Sequence, residues 1–300
     1  MTPGLAQPGL IPRAALLGTG LTLINTLISV SADALAKDLV TTYAAPQLMA
    51  LSGLLAVAFG LVLTGAGQGD KVLRSPVPGL VLIRSCLGAI STLGFFYALQ
   101  MLDFAAVFPF IALMPIFGAL LSWVLLKERI LQAAWIALGC GIAGMIIILP
   151  GVPHGATTGY LVGLGASMTG SASLVLSRRI SARGTHSFAQ VFYAQLACAA
   201  LGLVLLPLVW QPMQPLHLAM LAAYTGFIIA TRWLIVTILR MLPAHVVLQL
   251  ANIQFIWMVI LGHHLFGEVA GPELLLGAGL IILSGIWLVN QQHRAQTRPT

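Results

Sequence analysis

The stretch "IRSCLGAISTLGFFYALQMLDFAAVFPFIALMPIFGALLSWVLLKERI", residues 83–130, decides the class of fold. Its interior, from 85 to 126, carries a single charged residue, Asp103. The apolar residues fall into two blocks, 78–101 and 104–125. A helix of about 20 apolar residues is long enough to cross the hydrocarbon core of a bilayer. The stretch therefore predicts two transmembrane helices joined by a short connection.

The same pattern continues along the chain. Of its 300 residues 59% are hydrophobic and only 7% are charged, whereas a soluble domain carries about 25% charged residues. The apolar blocks do not alternate with polar residues, as the strands of a membrane barrel would. We therefore predict an all-α integral membrane protein with ten transmembrane helices. The predicted spans are 14–36, 45–64, 78–101, 104–125, 131–149, 158–178, 187–210, 216–240, 244–266 and 271–290.

Lysine and arginine residues are distributed unevenly between alternate loops, which predicts orientation. If the N-terminus is cytoplasmic, the outer loops hold only Lys37. The inner segments then hold Arg13, Lys71, Arg74, Lys127, Arg129, Arg178, Arg179, Arg183, Arg240, Arg294 and Arg298. We predict a multi-pass membrane protein with both termini in the cytoplasm. The net charge of +7 follows from this topology, and its spread over many loops indicates no nucleic-acid partner.

The two halves of the chain resemble each other. The segment "LQMLDFAAV" (99–107) resembles "LRMLPAHVV" (239–247), at a separation of 140 residues. Five spans per half is an odd number, so the second copy must enter the membrane from the opposite side. The sequence predicts two inverted five-helix repeats, 1–150 and 151–300, around a central cavity. Transporters with such repeats bind their substrates near the bilayer midplane.

Polar and small residues form lines along several predicted helices. Residues i, i+4 and i+7 share a helix face, so Asn25 and Ser29 lie together in span 1. In span 9 Gln249 and Asn252 share one face, whereas Gln254 points the opposite way and is expected to bond a neighbouring helix. The predicted substrate-binding residues are Asn25, Ser29, Ser91, Phe95, Phe108, Ser171, Arg232, Gln249 and Asn252.

Close packing of helices is the alternative interpretation of these lines, because small and polar residues often hold transmembrane helices together. The glycines of spans 5 and 10 are expected to serve this role: Gly139, Gly141, Gly144, Gly277 and Gly279. A different role is expected for Pro115, which removes a backbone hydrogen bond near the middle of span 4. We predict that Pro115 is a hinge.

Charged residues inside the spans indicate protein contacts or a wet cavity, because a buried cation costs about 2.5–3.5 kcal/mol on insertion scales. Arg84 is near enough to a helix end for its side chain to reach the interface. Arg232 lies deeper, where it could hold a substrate carboxylate or close an inner gate. Asp33 and Lys37 are four residues apart and are expected to form an ion pair. Asp33 as a proton-coupling acid remains the alternative.

The sequence predicts no enzyme, catalytic residue, cofactor or metal site. It has no phosphate-binding glycine loop, nucleophile elbow or zinc-protease motif. His263, His264 and Glu268 are close in sequence but have no further ligand group nearby. The three cysteines lie in different spans and are expected to be small core residues. Polar residues at mid-depth are mainly amides and hydroxyls, which suit recognition better than catalysis.

Together these features resemble the EamA-repeat branch of the drug/metabolite transporter superfamily, over nearly the whole chain. The segment "SADALAKDL" (31–39) resembles the end of that family's first span. Its span 3–4 signature is matched by Arg84, Tyr97, Ala98, Leu99, Ala105, Ala106, Pro115, Leu126, Lys127 and Glu128. In the second half Phe255 stands in place of the proline and Tyr224 in place of the arginine.

The resemblance implies a secondary transporter with a central cavity lined by spans 1, 3, 4, 6, 8 and 9. Bacterial exporters of aromatic amino acids are the most similar functional type, so we expect amino-acid export by alternating access. The expected partners are a small-molecule substrate and the lipid bilayer, with the protein as a monomer. S-adenosylmethionine remains an alternative substrate. A channel or a non-transport membrane protein is the competing class, but no ring of like charges indicates a channel.

Overall fold

A computed structural model describes residues 13–127, 132–148 and 156–297. All regular structure in these ranges is helical. The helices are α1 (Arg13–Thr42), α2 (Ala45–Leu73), α3 (Pro78–Met101), α4 (Phe108–Leu126), α5 (Gln132–Ile148), α6 (Thr157–Ser181), α7 (Ser187–Leu205), α8 (Pro215–Ile238), α9 (Ala244–Ala251), α10 (Gln254–Phe266) and α11 (Pro272–Thr297). A short 3₁₀ turn, Ala105–Val107, leads directly into α4. Glu128 of the span 3–4 signature lies outside the described residues.

Eight helical segments in the described part of the chain are long and apolar enough to cross a membrane. They correspond to α1, α2, α3, α4, α6, α7, α8 and α11. Helix α5 is apolar but shorter, with 17 residues. The prediction of an all-α membrane fold is confirmed. Several helices begin at a proline, as α3 does at Pro78, where the missing N–H would have no partner within the helix.

The ninth predicted span is two helices instead of one. Helix α9 ends at Ala251 and α10 begins at Gln254. Between them the N–H groups of Asn252, Ile253 and Phe255 each donate to the carbonyl three residues earlier. Such bonds tighten the backbone to about 3.0 residues per turn, compared with 3.6 in an α-helix. The side chains of α10 therefore do not continue the face of α9 as they would along a single straight helix.

The helices pack mainly in pairs that are distant in sequence. Helix α1 packs on α8, α2 on α7, α3 on α6, and α5 on α11. Helix α4 packs on α6 and α11, and its Phe108 and Phe110 are buried. Phe104, just before α4, is also fully buried and lies with its ring centroid 5.6 Å from that of Phe266.

Close packing between α5 and α11 depends on glycine. A Cβ atom at Gly144 would lie 2.7 Å from the carbonyl oxygen of Gly277 and 2.6 Å from Ile281 Cγ1. A Cβ atom at Gly139 or Gly279 would have no neighbouring atom within 4 Å. The expectation that all five of these glycines pack closely is therefore wrong for Gly139 and Gly279. They lie on faces that approach no neighbour among the described residues.

Gly144→Ala is expected to lower the free energy of unfolding by about 1–3 kcal/mol, the usual cost of overpacking. The backbone carbonyl of Gly277 cannot rotate away as a side chain could. Gly139→Ala, on the same helix, is the matched control and should be neutral or slightly stabilising, because alanine favours helix. Melting temperatures of the purified variants in detergent test this. Equal melting temperatures for the two variants would contradict the packing described above.

Candidate functional site

A cavity of about 290 Å³ lies among helices α1, α3, α4, α8 and α10. Its wall is formed by Ser29, Asp33, Ala36, Thr92, Phe95, Phe96, Leu99, Val107, Ile111, Met114, Tyr224, Gln254 and Met258. Ligand pockets usually enclose about 300–1,000 Å³, so this volume suits a small metabolite. The wall combines aromatic and aliphatic surface with three hydroxyls, one amide and one carboxyl. This composition can bind and orient a molecule that has both polar and apolar parts.

Helix α1 presents its predicted polar face to the interior. Ser29 and Asp33 line the cavity. One turn earlier, Asn25 is half-buried, and its Oδ1 atom has no hydrogen-bond partner. Thr22 is buried and donates to the carbonyl of Gly18 at 2.7 Å. Ser29 therefore lines the cavity. Asn25 lies inside the bundle but is not one of the cavity-lining residues.

Predicted residues on α3, α4 and α6 divide between the cavity and helix packing. Phe95 lines the cavity. Ser91 donates to the carbonyl of Ala166 at 2.7 Å, and Ser171 donates to that of Met114 at 3.1 Å. These bonds join α6 to α3 and α4, so both serines act as helix contacts. Phe108 packs in the core, with its ring centroid 5.4 Å from that of Phe255.

The break between α9 and α10 changes which amide faces the cavity. Gln254 lines it, together with Met258 one turn later. Gln249 donates to the side-chain oxygen of Asn290 on α11, and Asn252 donates to the carbonyl of Gln249 at 3.2 Å. The expectation that Gln254 points away from the cavity is wrong, because it assumed one continuous helix. The placement of Gln249 and Asn252 on the cavity wall does not appear in the structure either.

Two arginines lie within helices of membrane-spanning length, Arg84 on α3 and Arg232 on α8. The guanidinium of Arg84 donates to the carbonyl of Gln190, and its Nε atom is buried without a hydrogen-bond partner. Arg232, eight residues after Tyr224 on α8, is exposed.

Lys37 does not pair with Asp33, contrary to the expectation from their spacing. Its ammonium lies 3.6 Å from the carboxylate of Glu268 and donates to the carbonyl of Leu102. Glu268 also accepts a hydrogen bond of 2.5 Å from the backbone N–H of Phe104. Burial raises the pKa of Glu268, an effect opposed by that N–H and by the Lys37 ammonium. The contacts join α1, the α3–α4 connection and the α10–α11 loop at one end of the bundle.

Several cavity residues were not identified from the sequence as binding residues. They are Thr92, Phe96, Leu99, Val107, Ile111, Met114, Gln254 and Met258. Most are apolar, so a search for polar lines along helices could not find them. On α4 the predicted Phe108 is buried in the core, whereas Ile111 and Met114 form the wall. Thr92 could have been identified from the sequence. It follows Gly88 by four residues and precedes Phe95 by three, so the three residues share a helix face.

No group of three or more His, Cys, Asp or Glu side chains that could hold a metal ion occurs within the described residues. The cavity carries one of these side chains, Asp33, on its wall. The wall offers hydroxyls, one amide, one carboxyl and aromatic rings.

Part of the chain that forms this cavity matches a known protein family. Residues 16–149 match the EamA-like transporter family. The matched region holds most of α1 and all of α3 and α4, which contribute to the cavity wall. The expected resemblance to that family is confirmed for this part of the chain.

Individual relatives agree with this match. The pseudopaline exporter CntI of Pseudomonas aeruginosa, in strains UCBPP-PA14 and PAO1, is 31% identical over 144 residues. That alignment covers 48% of this chain and about half of the exporter, 49% of its length. A solved crystal structure of another protein has a similar fold, with a TM-score of 0.58 and 22% identity. The structural match covers 93% of this chain and 99% of the other.

Proposed function

We propose that this chain is a secondary transporter that exports amino acids across the bacterial inner membrane by alternating access. The observation that carries the proposal is the interior cavity, which combines Asp33, hydroxyls and aromatic rings from five helices. A site of this kind accommodates the charged and apolar parts of an amino acid at once. The EamA match and the exporter relative support transport as the general activity.

An inverted repeat of five helices per half, 1–150 and 151–300, is part of the proposal. Under a step of 140 residues, the first span corresponds to the sixth and the third to the eighth. The packing of α1 on α8 and of α6 on α3 supports this relation, because a two-fold axis would generate one pair from the other. The cavity lies where the helices of the two halves meet, as the proposal requires.

A second candidate substrate is pseudopaline, or a metabolite of its class, and the relative's name favours it. Counterflow in proteoliposomes separates the candidates. Purified protein is reconstituted with one unlabelled compound inside, and the entry of labelled amino acids is measured with competitors outside. Exchange of labelled amino acids supports the proposal. If only pseudopaline inhibits exchange, pseudopaline or a metabolite of its class is the substrate instead of an amino acid. S-adenosylmethionine is included in the same competitor panel.

The orientation proposed for the chain has both termini in the cytoplasm. Single cysteines introduced at 70, 154 and 296, after removal of the native cysteines, report which side each position faces. We expect a membrane-impermeant thiol reagent to label position 154 in intact cells and to leave 70 and 296 protected until the membrane is opened. Labelling at 70 or 296 from outside, with 154 protected, would reverse the orientation.

Pro115 is the proposed hinge of the transport cycle. It lies inside α4, where its missing N–H leaves the carbonyl of Ile111 without its usual partner in the helix. Ile111 lines the cavity, so bending at this point would move the wall. Ser167 and Ser171 on α6 donate to the nearby carbonyls of Phe110 and Met114, so α6 would follow the bend.

Pro115→Ala should leave the fold intact and slow exchange between the two access states, because the restored hydrogen bond stiffens α4. Pro109, in the first turn of α4, is the matched control, since an N–H at that position has no partner within the helix. Counterflow rates at saturating substrate measure the effect. Equal rates for the Pro115→Ala variant and the wild type would remove Pro115 from the mechanism.

A further inference from the structure

Four polar side chains on the cavity wall make no hydrogen bond to the protein within the described residues. They are Ser29 and Asp33 on α1, Tyr224 on α8 and Gln254 on α10. Most polar groups inside proteins have a hydrogen-bond partner, and Thr92 on the same wall donates to the carbonyl of Gly88 at 3.0 Å. Four unbonded groups around one cavity therefore indicate that a ligand supplies their partners.

The cavity wall carries an acid and no base. Asp33 contributes a carboxyl, and none of the described residues that form the wall is a lysine, arginine or histidine. Lys37, one turn further along α1, pairs with Glu268 at 3.6 Å and not with Asp33. Arg232, expected from the sequence to hold a substrate carboxylate, is not part of the wall either. A cationic group would therefore find a charged partner in this cavity, whereas a carboxylate would find none.

Aromatic rings on the same wall also favour a cation. Phe95, Phe96 and Tyr224 line the cavity, and the ring centroids of Phe96 and Tyr224 are 6.0 Å apart. The face of an aromatic ring attracts a cationic group that lies within about 6 Å of its centroid. The rings and the aliphatic residues beside them also offer apolar surface to the hydrocarbon part of a ligand. The wall thus suits a molecule that joins an ammonium group to an apolar body.

We propose that Asp33 makes this cavity selective for ammonium groups, and that the carboxylate of an amino acid is not required for binding. The substrate class then includes primary amines with an aromatic or aliphatic body, such as phenethylamine, together with amino acids. Ser29, one turn before Asp33 on the same face of α1, can accept a further hydrogen bond from the ammonium. This inference rests on the proposed function, because it specifies which group of the substrate that same cavity recognises.

Competition in counterflow of labelled phenylalanine tests this selectivity. Phenethylamine lacks the carboxylate, and 3-phenylpropionate lacks the ammonium. At the wild-type protein we expect phenethylamine to compete at least as well as phenylalanine. We expect 3-phenylpropionate to compete at least about tenfold more weakly than either, because it leaves Asp33 unpaired and brings a second negative charge into the cavity. Liposomes without protein correct for passive diffusion of the competitors.

Variants of Asp33 test whether this residue causes the preference. Asp33→Asn should reduce the preference for phenethylamine over 3-phenylpropionate about tenfold, whereas Asp33→Glu should retain it. The exposed Asp38 on the same helix is the matched control, and Asp38→Asn should retain the preference. Each preference is a ratio within one variant, so it does not depend on how much of the variant is folded. A variant too slow for counterflow is measured by the thermal stabilisation that the same three compounds produce.

The outcomes separate this inference from the proposed function. Exchange of phenylalanine in which phenethylamine competes more weakly than phenylalanine would overturn the inference and leave amino-acid export intact. An unchanged preference in Asp33→Asn would also overturn the inference alone. Exchange of labelled phenethylamine without exchange of phenylalanine, leucine or serine would support the inference and contradict amino-acid export. Exchange of none of these compounds would contradict both.

Discussion

Glu268→Ala is expected to lower the free energy of unfolding by about 1–3 kcal/mol, the cost of leaving a buried polar group without its partner. The carboxylate of Glu268 accepts a 2.5 Å hydrogen bond from the backbone N–H of Phe104, a residue that is fully buried. It also lies 3.6 Å from the ammonium of Lys37, where both side chains are largely buried. Alanine would leave both donors without this acceptor.

Glu268→Gln is the matched control, because an amide oxygen can still accept from the Phe104 N–H. It removes the charge and retains the shape, so its loss of stability should be clearly smaller than that of Glu268→Ala. Thermal unfolding of both purified variants in the same detergent makes the comparison. Equal losses of stability in the two variants would show that the hydrogen bond to Phe104 contributes nothing. No loss of stability in either variant would show that the contacts of Glu268 do not stabilise the fold.

Gln254→Ala is expected to weaken substrate binding by about 1–3 kcal/mol if its amide bonds a polar group of the substrate. This corresponds to roughly 5- to 150-fold in apparent affinity. Gln254 is the one amide on the cavity wall, near the aromatic and hydroxyl groups of Tyr224 and Ser29. Its loss would leave the bound substrate with an unpaired polar group in a low-dielectric interior.

Asn252→Ala and Gln249→Ala are the controls for this effect. Both amides bond within α9 or to α11, so their removal should change the melting temperature more than the affinity. Interhelical hydrogen bonds in membranes average only about 0.6 kcal/mol, so this stability change should be small. The measurement is the concentration of amino acid that half-saturates counterflow. A large change in half-saturating concentration for Asn252→Ala, together with none for Gln254→Ala, would contradict this account. It would indicate that Asn252, as on a single straight helix, faces the substrate.

Hydropathy was sufficient to predict the membrane helices, because the length of an apolar block determines whether it can cross a bilayer. The break in the ninth span was not predictable in the same way. The segment 244–261 contains neither proline nor glycine, the residues that usually mark an interruption. The break is visible only in the backbone hydrogen bonds around Asn252, and Gln254, which follows it, lines the cavity.

Polar lines along helices do not by themselves separate a face that lines a cavity from a face that packs on another helix. Serine can line a cavity or bond a neighbouring helix, and sequence cannot distinguish the two. Ser29 does the first, whereas Ser91 and Ser171 do the second. The four-residue spacing from Asp33 also predicted the wrong ion-pair partner for Lys37. Its partner, Glu268, is distant in sequence and is brought close by the α10–α11 loop.

Substrate protection of a cysteine in the cavity tests the central claim most directly. In a protein without native cysteines, Ser29→Cys places a thiol on the cavity wall. The matched control is Ser31→Cys on the same helix, where the native hydroxyl bonds the carbonyl of Leu27. The rate at which a small water-soluble thiol reagent modifies each cysteine is measured at increasing amino-acid concentration. We expect phenylalanine to slow modification of Ser29→Cys, with a midpoint equal to its half-saturating concentration in counterflow, and to leave Ser31→Cys unaffected. Counterflow of phenylalanine with no protection of Ser29→Cys would contradict the assignment of this cavity as the substrate site.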